Sequence, residues 1–345
     1  MAAFENGVTG PCVEYRRGEW RSLEDDVLAA LVFGVEPAPS PDARFIHAGI
    51  ATVGGGPAVE VWRAGQAVTC GESGAIRFAA TGEFLFGCLE VREQEHGGLP
   101  AAAEAAYRRL VEFQHGRAER HLLRVWNHLD AINEGEGDLE RYRQFCIGRA
   151  RGLGDLPADG LPAGTAVGRR NAAGLLQICW LAGSHAGCPV GNPRQVHAYQ
   201  YPRQYGPTPP SFSRAMLLPG DELMGSGTAS IVGHESRHDG DVEAQIDETL
   251  NNLRGLRQAG EQLAARGSRR DRDEAPVAVK VYLRRGDSAP VAVARIREGL
   301  PGIANLLLLE ADICRKELLV EIECTWGAGA LLSVPAHLPA GEAAR

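Results

Sequence analysis

Residues 318–326 read LLVEIECTW and residues 277–287 read VAVKVYLRRGD. Both runs are rich in β-branched and aliphatic residues, which marks strands rather than helices. In period two, Leu319, Glu321 and Glu323 share one face of the first run, and Val320, Ile322 and Cys324 share the other. Upstream, residues 241–265 carry the apolar spacing of a long helix, with Asp239 or Asp241 as its cap. Residues 290–298 form a short helix, and 213–218, 223–231 and 306–310 complete a set of strands.

The first half has the same order. Strand-like runs at 44–53, 58–63, 76–80 and 83–91 precede a helix at 101–114. A strand at 121–126 leads to a helix at 139–153 capped by Asp138, then to strands at 175–181 and 196–201. GEFLFG (82–87) sits opposite DELMGSG (221–227), and LLRVWNHLD (122–130) opposite VKVYLRRGD (279–287). An old duplication is the hypothesis. The expected fold is α+β (mixed α/β), as two units, each a mixed sheet with helices packed on one face. The expected units are 41–203 and 204–345, joined near YPRQYGPTPPS (201–211), where a plain loop is an equal reading. The first 40 residues read as irregular and run into the proline-rich EPAPSPDAR (36–44).

Composition narrows the function classes. The chain has 345 residues, 44% hydrophobic and 23% charged, which is ordinary globular material. Its net charge of −8 opposes a nucleic-acid partner. No run reaches the roughly 18 apolar residues of a membrane span, and the start has no signal-peptide pattern. A cytoplasmic location is expected. The only lysines are Lys280 and Lys316; the arginine excess fits either a GC-rich genome or anion recognition. Cys12, Cys70, Cys88, Cys146, Cys179, Cys188, Cys314 and Cys324 form no CxxC pair, and the i, i+4 pair His234 and His238 lies in a loop. No metal or cofactor is expected.

Polar residues interrupt four otherwise buried patterns. In RYRQFCIGRA (141–150), Arg141, Phe145 and Arg149 share a helix face beside Tyr142. In YQYPRQYGPTPPSFSRA (199–215), Tyr199, Tyr201, Tyr205 and Phe212 gather near Arg214, which suits a flat anionic ring; packing of a proline-rich crossover is the alternative. GHESRHDGD (233–241) is a polar loop, and GSGTAS (225–230) lacks the lysine of a phosphate loop. Gly225 and Gly227 either clear a pocket or permit a bend. Glu321 either points to solvent or faces a pocket. In a pocket, desolvation would raise its pKa and fit it for general-acid work.

Taken together, RVWNHLDAIN (124–133), GDLERYRQFCIGRA (137–150), QYPRQYGPTPPSFSRA (200–215) and SGTASIVGHES (226–236) resemble the chorismatases. SGTASIVGHESRHDGDVEAQIDETLNNL (226–253), VKVYLRRGD and LLVEIECTW resemble the RidA/YjgF-like fold, to which the chorismatases and the AroH-type chorismate mutases are related. The resemblance covers roughly residues 120–326. It implies an enzyme that cleaves chorismate and releases pyruvate. It implies that Glu321 protonates the enol-ether methylene and that Tyr142, Arg149, Tyr201 and Arg214 contact substrate. Within the family, Cys314, seven residues before Glu321, and glycine at 227 resemble the 3-hydroxybenzoate synthases. Cys314 is then expected to assist ring rearrangement and aromatisation.

Three alternatives stand beside that reading. One is a chorismate hydrolase giving 3,4-dihydroxycyclohexa-1,5-dienoate, and one a mixed 3-/4-hydroxybenzoate synthase. The third is a non-catalytic RidA-like binding protein. A RidA-type imine deaminase fits less well, because its carboxylate-binding arginine position corresponds to Leu306. The expected assembly is a monomer or a RidA-like homo-oligomer.

Overall fold

The computed structural model describes residues 10–18, 20, 22–34, 40–170, 174–264 and 277–327. The extreme start of the chain, residue 35 with residues 36–39 of the proline-rich run, position 265 of the expected long helix and the last part of the expected second unit lie outside the described residues. The architecture is mixed α and β. Among the described residues the α-helices are α1 (Leu99–His115), α2 (Arg141–Leu153), α3 (Val242–Ala264) and α4 (Ala289–Gly299).

Two large sheets have the same strand order. One runs Thr69–Ser73, Ile76–Ala80, Phe84–Arg92, Leu175–Gly183, His121–Asp130, Ala163–Arg169. The other runs Cys188–Val190, Ala215–Leu217, Leu223–Gly225, Val320–Trp326, Val277–Leu283, Ile303–Glu310. In each, the last two strands pair in parallel, so a crossover must join them; α2 lies on the first crossover and α4 on the second. Each sheet also takes a short edge strand from elsewhere in the chain. Asp312–Ile313 pairs with Ala163–Arg169, and Ala51–Thr52 pairs with Ile303–Glu310.

Each sheet is covered by helices on one face. Tyr107 and Leu110 of α1 and Phe145 of α2 pack with Leu129 and Trp180; Leu250 and Leu253 of α3 and Ile296 of α4 pack with Val279 and Ile322. The opposite faces meet in a shared core of Trp62, Phe86, Trp126, Met216, Tyr282 and Leu309. Alternation on Val320–Trp326 therefore turns Val320, Ile322 and Cys324 to the helices and leaves Glu321 and Glu323 on the inner side.

Several expectations are corrected. The first 40 residues are not irregular throughout: Cys12–Arg17 and Val27–Phe33 belong to a four-stranded sheet with Phe45–His47 and Ala58–Arg63. VLAALVF is buried at every position, the mark of a strand covered on both faces. The 44–53 run splits between two sheets. Residues 196–201 form no strand but carry a single 3-10 turn at Ala198–Gln200, between Pro193 and Pro202, which cannot donate to a ladder. Asp138 does not cap α2; its carboxylate takes the Arg203 guanidinium at 2.9 and 2.5 Å. Asp241 does cap α3, accepting the Ala244 N–H at 3.0 Å.

Candidate active site

The expected 223–231 strand is broken where it matters. Met224 lies opposite Thr325 and Thr228 opposite Ile322, so one strand carries an extra residue. This is a β-bulge at Ser226 and Gly227, the device that re-aims a side chain beside a site. The bulge is tied to the other large sheet. Ser226 Oγ donates to the Ser213 carbonyl (2.6 Å) and accepts the Gly164 N–H (2.8 Å), and the Gly227 N–H donates to Thr165 Oγ1 (3.0 Å). A Cβ at Gly227 would stand 1.9 Å from Glu321 Oε1, so any side chain there must displace the end of that carboxyl.

Glu321 opens into a cleft of about 620 Å³, its solvent-filled mouth included. Tyr142 of α2 forms one wall; Tyr201, Tyr205, Phe212 and Arg214 of the crossover loop form another. Gly227 and Ala229 of the bulge, with Cys314 and Arg315, complete it. Cys314 and Arg315 follow directly on Asp312–Ile313, which crosses to the other sheet and so brings them to the junction.

The acid–base character of the cleft follows from burial. Glu321 is 4% exposed. Burial, then the charge of Glu323, pushes its carboxyl up to about 8 against the pull of Arg124 and Arg214. Glu321 thus keeps its proton at neutral pH. Burial and then the Glu321 charge push the Cys314 thiol up, so it stays protonated. Burial raises the Tyr142 phenol as well.

Three guanidiniums line the cleft; Arg143 is paired with Glu140 at 3.0 Å, and Arg214 and Arg315 keep unpaired donors. Arg214 Nη2 donates to Tyr201 Oη (2.6 Å) and the Val196 carbonyl (2.7 Å), while its buried Nε has no partner among the described residues. Arg315 lies on the Tyr205 ring, 3.9 Å from its centroid. Its Nη1 donates to the His234 carbonyl (2.9 Å) and Ser236 Oγ (3.0 Å), and its buried Nη2 has no such partner. Unpaired guanidinium donors in an aromatic cleft fit a planar carboxylate ligand.

Of the residues expected from sequence, Glu321, Cys314, Tyr142, Tyr201, Arg214 and Gly227 all line this cleft. Arg149 does not. It is 2% exposed, lies 5.3 Å from the Tyr107 ring, and packs behind Phe212 at Gly164. Seven residues beyond Tyr142 is about two helical turns, roughly 10 Å along α2, which carries it past the cleft. The buried Nε and Nη2 of Arg149 have no hydrogen-bond partner among the described residues, whereas Arg141 is occupied elsewhere, clamping Glu93 at 3.0 and 2.5 Å. The cation that sequence reasoning missed is Arg315. Its one signal was adjacency to Cys314, and nothing in the sequence showed that a strand swap would deliver both.

A family model described as "Chorismatase FkbO/Hyg5-like, N-terminal" matches residues 60–182. A 3-hydroxybenzoate synthase of Streptomyces hygroscopicus is 36% identical over 280 residues, 77% of this chain and 81% of that protein. The chain belongs to the chorismatase family. A chorismatase of Streptomyces rapamycinicus is 38% identical over 277 residues, 76% of this chain and 80% of that one. A crystal structure of a chorismatase superposes with a TM-score of 0.80 at 29% identity, covering 94% of this chain and all of that one. The fold is therefore the chorismatase fold.

Proposed function

We propose that the protein cleaves chorismate to 3-hydroxybenzoate and pyruvate, without net consumption of water. The observation that carries this reading is a protonated, buried Glu321 facing a cleft in which Arg214 and Arg315 keep unpaired donors, in a chain of the chorismatase family. Arg214 and Arg315 hold the two carboxylates of chorismate, and the Tyr201 and Tyr205 rings pack on its ring. This replaces Arg149 with Arg315 as the second clamp. Glu321 gives its proton to the enol-ether methylene, making an oxocarbenium ion. The carbon–oxygen bond to the ring then breaks and pyruvate leaves. The neighbouring ring hydroxyl attacks the vacated carbon from within, and its proton returns to Glu321. That attack closes an epoxide; its bond to the carbon that first bore the hydroxyl then breaks, the newly oxygenated carbon loses its hydrogen as a proton, and protonation of the oxygen gives the phenol, so atoms and protons balance.

Cys314 stays a neutral thiol and guides this last rearrangement by hydrogen bonding and proton relay. The paired strand order also supports two related units, the second opening at Cys188–Val190 and so before the expected boundary at 203/204, with Tyr142 from the first completing a site built by the second. The test is incubation with chorismate, with pyruvate read through lactate dehydrogenase and the ring product by HPLC. One equivalent of each product supports the proposal; no pyruvate above background overturns it.

A further inference from the structure

Behind the cleft, a closed cluster of ionised groups lies in the core shared by the three sheets. Glu323, two residues from Glu321 on the same strand face, is 6% exposed. Lys280 Nζ stands 3.1 Å from its Oε2 and Arg124 Nη2 stands 3.2 Å from its Oε1. Trp126 Nε1 donates to Oε2 at 3.0 Å, and the Tyr282 hydroxyl donates to Oε1 at 3.1 Å. Lys280 also donates to Glu60 Oε2 at 2.7 Å, and Trp62 Nε1 donates to Glu60 Oε1 at 2.8 Å. Two cations thus face two anions, all four of them buried. Charges buried this way are costly and gain little stability over apolar packing. Their presence one strand repeat from Glu321 calls for a functional account.

We infer that Glu323, held as a permanent anion by Lys280 and Arg124, is a positioning residue that places the proton on Glu321 and draws it back after each turnover. This inference rests on the proposed role of Glu321 as the acid. Two like charges at i and i+2 of a strand lie about 7 Å apart, and in a dry interior they do not both ionise readily. The geometry decides which one takes the charge. Glu323 has cations and donors on both oxygens, whereas no described group donates a hydrogen bond to the Glu321 carboxyl. Burial alone would raise Glu323, but Lys280 and then Arg124 hold it near 2.

A mechanical link runs alongside the electrostatic one. The Thr165 hydroxyl bonds Glu323, accepts Arg124 Nη2 at 2.5 Å, and accepts the Gly227 N–H that seats the bulge under Glu321. The other charged or titratable groups facing the pair do not reverse the assignment. Arg214 and Arg124 favour the Glu321 anion yet leave its carboxyl raised, and Cys314 and Tyr142 stay neutral. Arg315 shares the cleft but its free nitrogen is committed to ligand in the proposed mode. On the Glu323 side, burial keeps Tyr15 and His128 uncharged. Once Glu321 has given up its proton, the adjoining anion favours recapture, which the second half of the reaction requires.

The test is the pH profile of kcat with chorismate for the parent chain and for Glu323→Gln. Loss of the fixed anion lowers the Glu321 pKa, so the alkaline limb moves to lower pH by roughly 1–2 pH units. A uniform loss of kcat with an unmoved limb overturns the inference and marks Glu323 as structural. The parent chain carries a second measurement that does not depend on the variant folding. With 13C-labelled glutamate carboxyls, infrared difference spectra against Glu321→Gln should show one protonated buried carboxyl at pH 7, absent from the variant. In that variant Glu323 should stay ionised down to pH 4. A Glu321 that ionises below pH 6, or a Glu323 that takes a proton above pH 5, overturns the inference. If the parent chain fails to turn over chorismate, it is the proposed function that falls; if it turns over and only these readouts fail, the inference falls alone.

Discussion

Replacing Glu321 by glutamine should abolish turnover and make the protein more stable, by an amount that depends on pH in a defined direction. The folded protein holds the Glu321 proton up to about pH 8, whereas an ordinary glutamate in the unfolded chain releases it near 4.5. Between those values the folded state binds one proton more than the unfolded state, so stability falls as pH rises, by about 1.4 kcal/mol per pH unit. From pH 5 to pH 7 the accumulated cost is about 2.7 kcal/mol. Glutamine has the same shape and no proton to lose, so Glu321→Gln escapes that cost. For a chain of this length the unfolding entropy is about 0.7 kcal/mol/K, so the Tm advantage of the variant should widen by about 4 °C over that interval. Urea and thermal unfolding of both proteins at pH 5, 6, 7 and 8 measure it. A stability difference that stays constant or shrinks with rising pH would refute a raised Glu321 and the acid role built on it.

Other substitutions probe the remaining parts. Gly227→Ala puts a methyl 1.9 Å from Glu321 Oε1 and must displace the carboxyl, so kcat should fall about 100-fold or more. KM should move far less, because the arginines are untouched, and steady-state kinetics separates the two. Cys314→Ala should keep pyruvate release but shift the ring product toward the dihydroxycyclohexadienoate; an unchanged HPLC profile would remove Cys314 from the rearrangement. Asp130 binds Arg169 Nε and the Leu175 N–H, both at 3.0 Å, and ties three strand ends together. Asp130→Ala leaves a buried guanidinium unpaired and should destabilise the protein by about 3–5 kcal/mol in urea denaturation, with the cleft residues unaltered.

Much of this molecule could be read from local pattern, and what could not has an identifiable cause. The alternation in LLVEIECTW placed Glu321 and Glu323 on one face correctly, because a central strand imposes period two wherever one side packs on helices. Pattern alone did not say that the other face was also buried, so it left both carboxylates open to a solvent reading. The two strands at Cys12–Arg17 and Val27–Phe33 were missed because their polar flanks and the proline run outweighed one short apolar stretch. Ala163–Arg169, read as AGTAVGR, carries small residues where another chain segment approaches closely, and small residues give a weak strand signal. Arg149 and Arg315 show the limit for the site. Helical spacing put Arg149 on the face of Tyr142 but not at its height, and the delivery of Arg315 depends on an edge strand exchanged between sheets. That exchange is a long-range event with no local sequence signature.

The central claim is that a protonated glutamate opens chorismate and that the ring's own oxygen, not water, completes the product. Turnover of chorismate in 18O-labelled water, with the ring product analysed by mass spectrometry, tests it most directly. The account expects 3-hydroxybenzoate carrying no label. A labelled ring product, or no ring product at all, would contradict it.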